Sequence, residues 1–184
     1  CQIKPRSDKD CRILSYVFSS MTLQNHRVIV VTPIYEDVEA SNLLFKELAL
    51  QFGEQVYVVA VDDGSINQPI TPEGFENAGM EGVVIKLRRN VGHQRAISIG
   101  LGYVAEHMGA DQRVVIMDSD GEDLPSTIPK LLSALDSNDV DVALAERKSR
   151  VETFKFKVFY LIYKWFFLLM TGRAISFGNF MALK

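Results

Sequence analysis

Residues 56–65 read Val-Tyr-Val-Val-Ala-Val-Asp-Asp-Gly-Ser, an unbroken apolar run that ends abruptly in two acids, a glycine and a serine. Such a run, β-branched and without polar alternation, is the pattern of a strand buried on both faces. The same pattern recurs on either side of it. VIVVT (28–32) runs into Pro33-Ile34-Tyr35-Glu36-Asp37, VVIKL (83–87) into Arg88-Arg89-Asn90, VVIMD (114–118) into Ser119-Asp120-Gly121-Glu122-Asp123, and DVALA (141–145) closes the series. Between them Glu36–Phe52 reads as a helix, and Ile97, Leu101, Val104 and Met108 recur at the spacing that lays one apolar stripe along a helix. Residues 63–82 are rich in Gly, Pro and Asn and read as a loop that can hold one short helical turn. Strand and helix in alternation predict an α/β fold, with a mostly parallel central sheet flanked by helices and right-handed crossovers.

The chain has 184 residues and 47% hydrophobic composition, enough for one domain with a substantial core. A net charge of −3 lacks the basic excess that phosphate neutralisation on nucleic acid requires, so a nucleic-acid partner is not expected. Cys1 and Cys11 both precede the first apolar run; they neither staple a core nor make a four-ligand zinc site, which suits a reducing, cytoplasmic setting. Residues 1–27 mix charges throughout and hold no apolar h-region, so they read as an extension and not a secretory signal. The longest apolar stretch, Val158–Met170, contains Lys164 and falls short of the ~18–20 residues that cross a bilayer.

In open sheets of this kind ligands bind beyond the carboxyl ends of the strands. Four strands here deliver polar groups to that edge. Asp118, Asp120, Glu122 and Asp123 lie within six residues, and like charges so close call for a cation. Carboxylates are hard ligands suited to Mg²⁺ or Mn²⁺, and Mg²⁺ is often held by one or two of them plus substrate phosphate oxygens. An EF-hand loop counted from Asp118 fails, with Asp123 at the required glycine and Pro129 at the required glutamate. Capping of a helix that starts near Pro125 would use one or two of the four acids. Asp62-Asp63-Gly64-Ser65 taken alone is an ordinary turn, but at this edge its carboxylates can accept from a nucleobase N–H or a ribose hydroxyl. No GxGxxG follows the first strand and no GxxxxGK[ST] occurs, which disfavours dinucleotide oxidoreductases and P-loop enzymes. Gly92-His93-Gln94, before a helix, reads either as a phosphate-approach turn or as a plain N-terminal turn.

Together these residues resemble glycosyltransferase family 2, and within it the bacterial polyprenyl-phosphate glycosyltransferases akin to dolichyl-phosphate mannosyltransferase. The likeness runs from about Val28 to Phe180. The family's Pro-x-Tyr-Asn-Glu pattern is matched by Pro33-Ile34-Tyr35-Glu36-Asp37, with Glu for Asn and Asp for Glu; Asp-Asp-Gly-Ser is intact at 62–65, and Asn-x-Gly-His-Gln-x-Ala-Ile is intact at 90–97. Asp118-Ser119-Asp120-Gly121-Glu122-Asp123-Leu124-Pro125 matches its DxD motif, with Glu122 at a frequent Gln position. Arg147 matches an arginine after the next strand, with Arg150 close by, and Gly178-Asn179-Phe180 matches a Gly-Asp-Phe element with Asn in place of the acid.

The resemblance implies a GT-A nucleotide-sugar-binding fold over residues 28–150, after an N-terminal extension (1–27) and before an amphipathic, membrane-proximal segment (151–184) that is expected to be truncated. It implies nucleotide-sugar contacts at Pro33, Tyr35, Asp37, Asp62, Asp63, Asn90, Gln94 and Asp118, metal ligation by Asp120 and Glu122, catalytic roles for Asp118, Asp120 and Arg147, and acceptor phosphate on Arg147 and Arg150. The implied reaction is inverting, metal-dependent transfer from a UDP- or GDP-linked sugar to a polyprenyl phosphate at the cytoplasmic face of the membrane. Thr153–Leu169 interleaves aromatic and aliphatic residues with Lys155, Lys157 and Lys164, the composition of an interfacial helix, or else of a core helix on the sheet. The 184-residue piece itself is expected to be soluble or peripheral, and its sequence is compatible with homo-oligomers. Two other functions fit the same residues: transfer to a saccharide hydroxyl in surface-polysaccharide assembly, which would need a general base, and nucleotide binding without turnover.

Overall fold

The computed structural model describes residues 14–16, 23–137, 140–146 and 177–184. In chain order they form β1 (Leu14–Tyr16), β2 (Val28–Ile34), α1 (Val38–Phe52), β3 (Val56–Asp62), α2 (Glu73–Ala78), β4 (Glu81–Lys86), α3 (His93–His107), β5 (Arg113–Ile116), α4 (Ile128–Ser137), β6 (Val142–Glu146) and β7 (Phe177–Leu183). All seven strands share one sheet, ordered β1-β4-β3-β2-β5-β7-β6. Its centre is parallel, with Ile34 opposite Asp62, Asp62 opposite Lys86 and Val31 opposite Ile116. Parallel register brings the carboxyl ends of β2 to β5 out on one edge.

Every residue of β2 and β3 is buried, as their unbroken apolar runs require. On one face Val30, Val58, Ala60 and Val115 meet α1 through Phe45 and Leu48 and α4 through Ile128 and Leu135. On the other, Ile29, Val31, Val59 and Val61 meet α3 through Ala96 and Val104. Gly100 lets α3 lie close: a Cβ there would stand 2.6 Å from Val31 Cγ1. The expected stripe on α3 is centred on Ala96, Ile97, Gly100 and Val104, while Met108 falls one residue past the helix and caps it through its N–H to the Val104 carbonyl.

The expected α/β architecture is present, and the structure adds detail at three places. The flanks of the sheet are antiparallel, because β1 pairs antiparallel with β4, and β7 inserts antiparallel between β5 and β6. The sheet also takes in β1, before residue 28, and β7, after residue 150. Strand 141–145 is an edge among the described residues and not a doubly buried strand; Ala143 is buried, whereas Val142 and Leu144, on the opposite face, are exposed. Residues 63–82 hold one short helix, the six-residue α2, whose single buried side chain, Phe75, packs tilted against Phe45 of α1 with ring centroids 4.5 Å apart. One aromatic anchor gives no period, which is why the helix does not show in the pattern. Among the described residues no helix is long and apolar enough to cross a membrane, and Val158–Met170 lies outside them.

Candidate functional site

The β2 outlet begins with Pro33, buried and paired with Val61, and Tyr35, which is 52% exposed. Glu36 follows with a φ of 52°, in the left-handed region that side-chain-bearing residues rarely adopt. Asp37, expected to touch nucleotide, caps α1: its Oδ1 accepts from the Ala40 N–H at 3.1 Å and its carbonyl accepts from the Ser41 hydroxyl. The helix accordingly starts at Val38 and not at Glu36.

At the end of β3, Asp62 is completely buried. Its Oδ1 accepts from the Ser65 N–H at 2.8 Å, and its Oδ2 has no hydrogen-bond partner among the described residues. The Thr32 hydroxyl on the adjoining strand is buried in the same condition. Asp63, 3% exposed, directs both oxygens at the loop before α3, accepting from Val91 N–H at 2.7 Å and Gly92 N–H at 3.0 Å. It thus orders the loop that carries Asn90, whose own side chain is exposed. Gly64 closes the same junction at φ 78°; a Cβ there would lie 2.4 Å from the Arg89 carbonyl carbon, so only glycine lets the two loops meet. Beside Asp62 opens a cleft of about 130 Å³ lined by Gly64, Ser65, Ile66, Lys86, Leu87 and Arg88. That is below the roughly 300–1,000 Å³ of small-molecule pockets.

Glu36 joins these two outlets. Its carboxylate accepts from the N–H groups of Ile66 (2.7 Å), Asn67 (3.1 Å) and Gln68 (2.8 Å), and its own N–H donates to Ser65 Oγ at 2.8 Å. Those amides, that of Ile66 foremost, hold the Glu36 carboxyl below the usual carboxylate range.

Beyond β5 the four acids separate by role. Asp123 is buried and turns back to accept from the Asp118 N–H at 2.9 Å, closing the loop on itself. Asp120 accepts from the Glu122 N–H at 2.9 Å, and both side chains are exposed. Asp118 Oδ1 lies 3.2 Å from His93 Nε2 at the start of α3. His93 also meets the Asn179 amide at 2.8 Å, and Gln94 donates to Asn179 Oδ1 at 2.9 Å. One cluster thus gathers β5, α3 and β7. Among the described residues no three His, Cys, Asp or Glu side chains converge as a metal site. Two exposed carboxylates nevertheless fit an ion whose other ligands are waters and phosphate oxygens.

Asp37, Asp62, Asp63, Asn90, Gln94, Asp118, Asp120 and Glu122 all stand at the one edge, whereas Arg147 and Arg150 lie outside the described residues. Sequence reasoning missed Glu36 as a link between loops and missed the meeting of Asn179 with His93. The first had a signal, a glutamate where the resemblance expects asparagine. The second, spanning 86 residues, had none.

The sequence model of glycosyl transferase family 2 matches residues 29–179. The chain belongs to glycosyl transferase family 2. Over 131 residues this family 2 chain is 31% identical to an undecaprenyl-phosphate 4-deoxy-4-formamido-L-arabinose transferase of Edwardsiella ictaluri, covering 68% of the chain and 38% of the relative. It is 24% identical over 134 residues to a dodecaprenyl-phosphate galacturonate synthase of Rhizobium johnstonii, covering 70% and 38%. The chain therefore spans 38% of the length of each of these curated relatives.

Solved structures show the GT-A fold expected of family 2. A mannosyltransferase from Pyrobaculum calidifontis, in complex with GDP-Man and Mn²⁺, superposes with a TM-score of 0.56 at 19% identity, covering 86% of this chain and 44% of that one. Glucosyl-3-phosphoglycerate synthase from Mycobacterium tuberculosis, in complex with UDP, gives 0.58 at 15% identity, covering 90% and 59%.

Proposed function

We propose that the chain carries the donor-binding part of an inverting, metal-dependent glycosyltransferase that moves a sugar from a UDP- or GDP-linked donor to a polyprenyl phosphate at the cytoplasmic face of the membrane. The observation that carries this reading is Asp62, a fully buried carboxylate at the outlet of a central strand with one oxygen held and the other unpartnered among the described residues. An unsatisfied buried acceptor costs about 1–3 kcal/mol, which a nucleobase N–H or a ribose hydroxyl would remove on binding. Family 2 membership and relatives named for undecaprenyl and dodecaprenyl phosphates support the donor and acceptor classes.

Each residue then has a task. Pro33, Tyr35 and Asp37 would border the nucleoside beside Asp62, while Asp63 holds the loop bearing Asn90. Mg²⁺ or Mn²⁺ on Asp120 and Glu122 would supply Lewis-acid stabilisation of the departing diphosphate. Asp118, with His93 and Gln94 around it, would border the transferred sugar. Arg147 and Arg150 would hold the acceptor phosphate, which is already anionic at neutral pH and needs no base; the Thr153–Leu169 segment would keep that acceptor at the membrane surface. A hydroxyl acceptor would need a base, and the Asn179 amide cannot take a proton.

Titration calorimetry with UDP, GDP and their sugar conjugates, each with Mn²⁺ or Mg²⁺ and again with EDTA, tests the reading. Metal-dependent binding of one nucleotide class is expected, with Asp62→Asn weakening it at least about tenfold. A folded sample that binds none of them overturns it.

A further inference from the structure

We infer that Glu36 is a positioning residue for the donor nucleotide: its carboxylate clamps the 66–68 loop and so sets the geometry of Asp62 and the adjoining cleft. The inference rests on the donor-site reading above and deepens it. Ile34 and Asp62 are register partners, so the loops that follow them leave the sheet side by side. Three consecutive amides of one loop, Ile66 to Gln68, converge on the Glu36 side chain of the other, and Asn67 adds its side-chain amide at 3.4 Å. A second link runs from the Glu36 N–H to Ser65 Oγ, and then from the Ser65 N–H to Asp62 Oδ1. This second link uses the Glu36 backbone and survives substitution of the side chain, so what the carboxylate adds is its hold on residues 66–68, the continuation of the loop whose Ser65 bonds Asp62. Two residues of this loop, Ser65 and Ile66, also wall the cleft.

The identity of the residue agrees with the role. A left-handed backbone favours Gly or Asn and disfavours a longer side chain, yet residue 36 is Glu. What Glu provides is reach and charge: two anionic oxygens long enough to gather amides from a neighbouring loop in charge-assisted bonds. Glycine at 36 would relieve the backbone and release the loop, so the two effects can be separated by substitution.

The test compares the wild-type 184-residue chain with Glu36→Gly and Glu36→Gln by residue-resolved amide exchange, thermal unfolding and titration of UDP and GDP with Mn²⁺. Glu36→Gly keeps the left-handed backbone accessible, and its melting midpoint is expected to stay near that of wild type. Exchange at 66–68 is expected to quicken about tenfold or more and nucleotide Kd to rise about tenfold, with Glu36→Gln intermediate because one neutral acceptor oxygen remains. A merely structural clamp would leave Kd in place. Unchanged exchange at 66–68, or faster exchange with Kd within about twofold of wild type, overturns the inference. Failure of the donor-site reading is distinguishable, because the wild-type chain itself would then bind neither nucleotide while the exchange measurement still reported on the clamp.

Discussion

At the scale of single residues, carboxylates of similar sequence context do different work according to what donates to them. Asp63 and Asp123 hold loop backbone, Asp37 caps a helix, and Asp62 keeps an oxygen unpartnered among the described residues. Glu36 gathers the amides of a neighbouring loop. Its folded-state pKa lies below the ordinary 4.5 because amide hydrogen bonds favour the charged form. A depressed carboxyl pKa means that the clamp contributes fully above about pH 4.5 and loses its contribution as pH falls through the lower folded value. Amide exchange at 66–68, corrected for intrinsic rates, should therefore accelerate on going from about pH 6 to about pH 3 in the wild-type chain. In Glu36→Gln the corrected rate should already be raised and nearly flat over that range.

At the scale of elements, α3 shows how one helix answers to two environments. Gly100 faces the sheet, where an added Cβ would meet Val31 at 2.6 Å and Val61 at 3.0 Å; Gly102 faces solvent with nothing within 4 Å. Helix propensity favours alanine over glycine by about 1 kcal/mol at both positions. Overpacking costs about 1–3 kcal/mol and acts only at the first. Gly100→Ala should thus be destabilising in urea unfolding, and Gly102→Ala stabilising by up to about 1 kcal/mol, with unchanged m-values in both. The other end of α3 belongs to function, since His93 and Gln94 in its first turn reach Asn179 of β7.

At the scale of the whole molecule, β7 completes the sheet by joining β5 to β6 and carries Asn179 to the site and Phe180 into the core. Phe180 is 4% exposed, so Phe180→Ala should cost about 3–5 kcal/mol in chemical denaturation although it lies outside the 28–150 region expected to make the domain. The parallel centre was legible because β2, β3 and β5 are buried on both faces and their composition says so without reference to partners. The polar edge was legible for the same reason: parallel strands must all end on one side. Strand β7, mixed in composition at Phe-Gly-Asn-Phe-Met-Ala-Leu, carries no such pattern, and neither does α2 with its lone Phe75 anchor. The sequence by itself determined the strands that bury both faces, the edge where chemistry collects and the residue types gathered there. Only the tertiary structure decided how those residues divide their hydrogen bonds, which carboxylates hold backbone and which keeps an oxygen unpartnered, and that Glu36 ties two loops together. Burial in a strand is a local property of composition, whereas the bonds of Asp63, Glu36 and His93 depend on the distance between segments 28 to 86 residues apart.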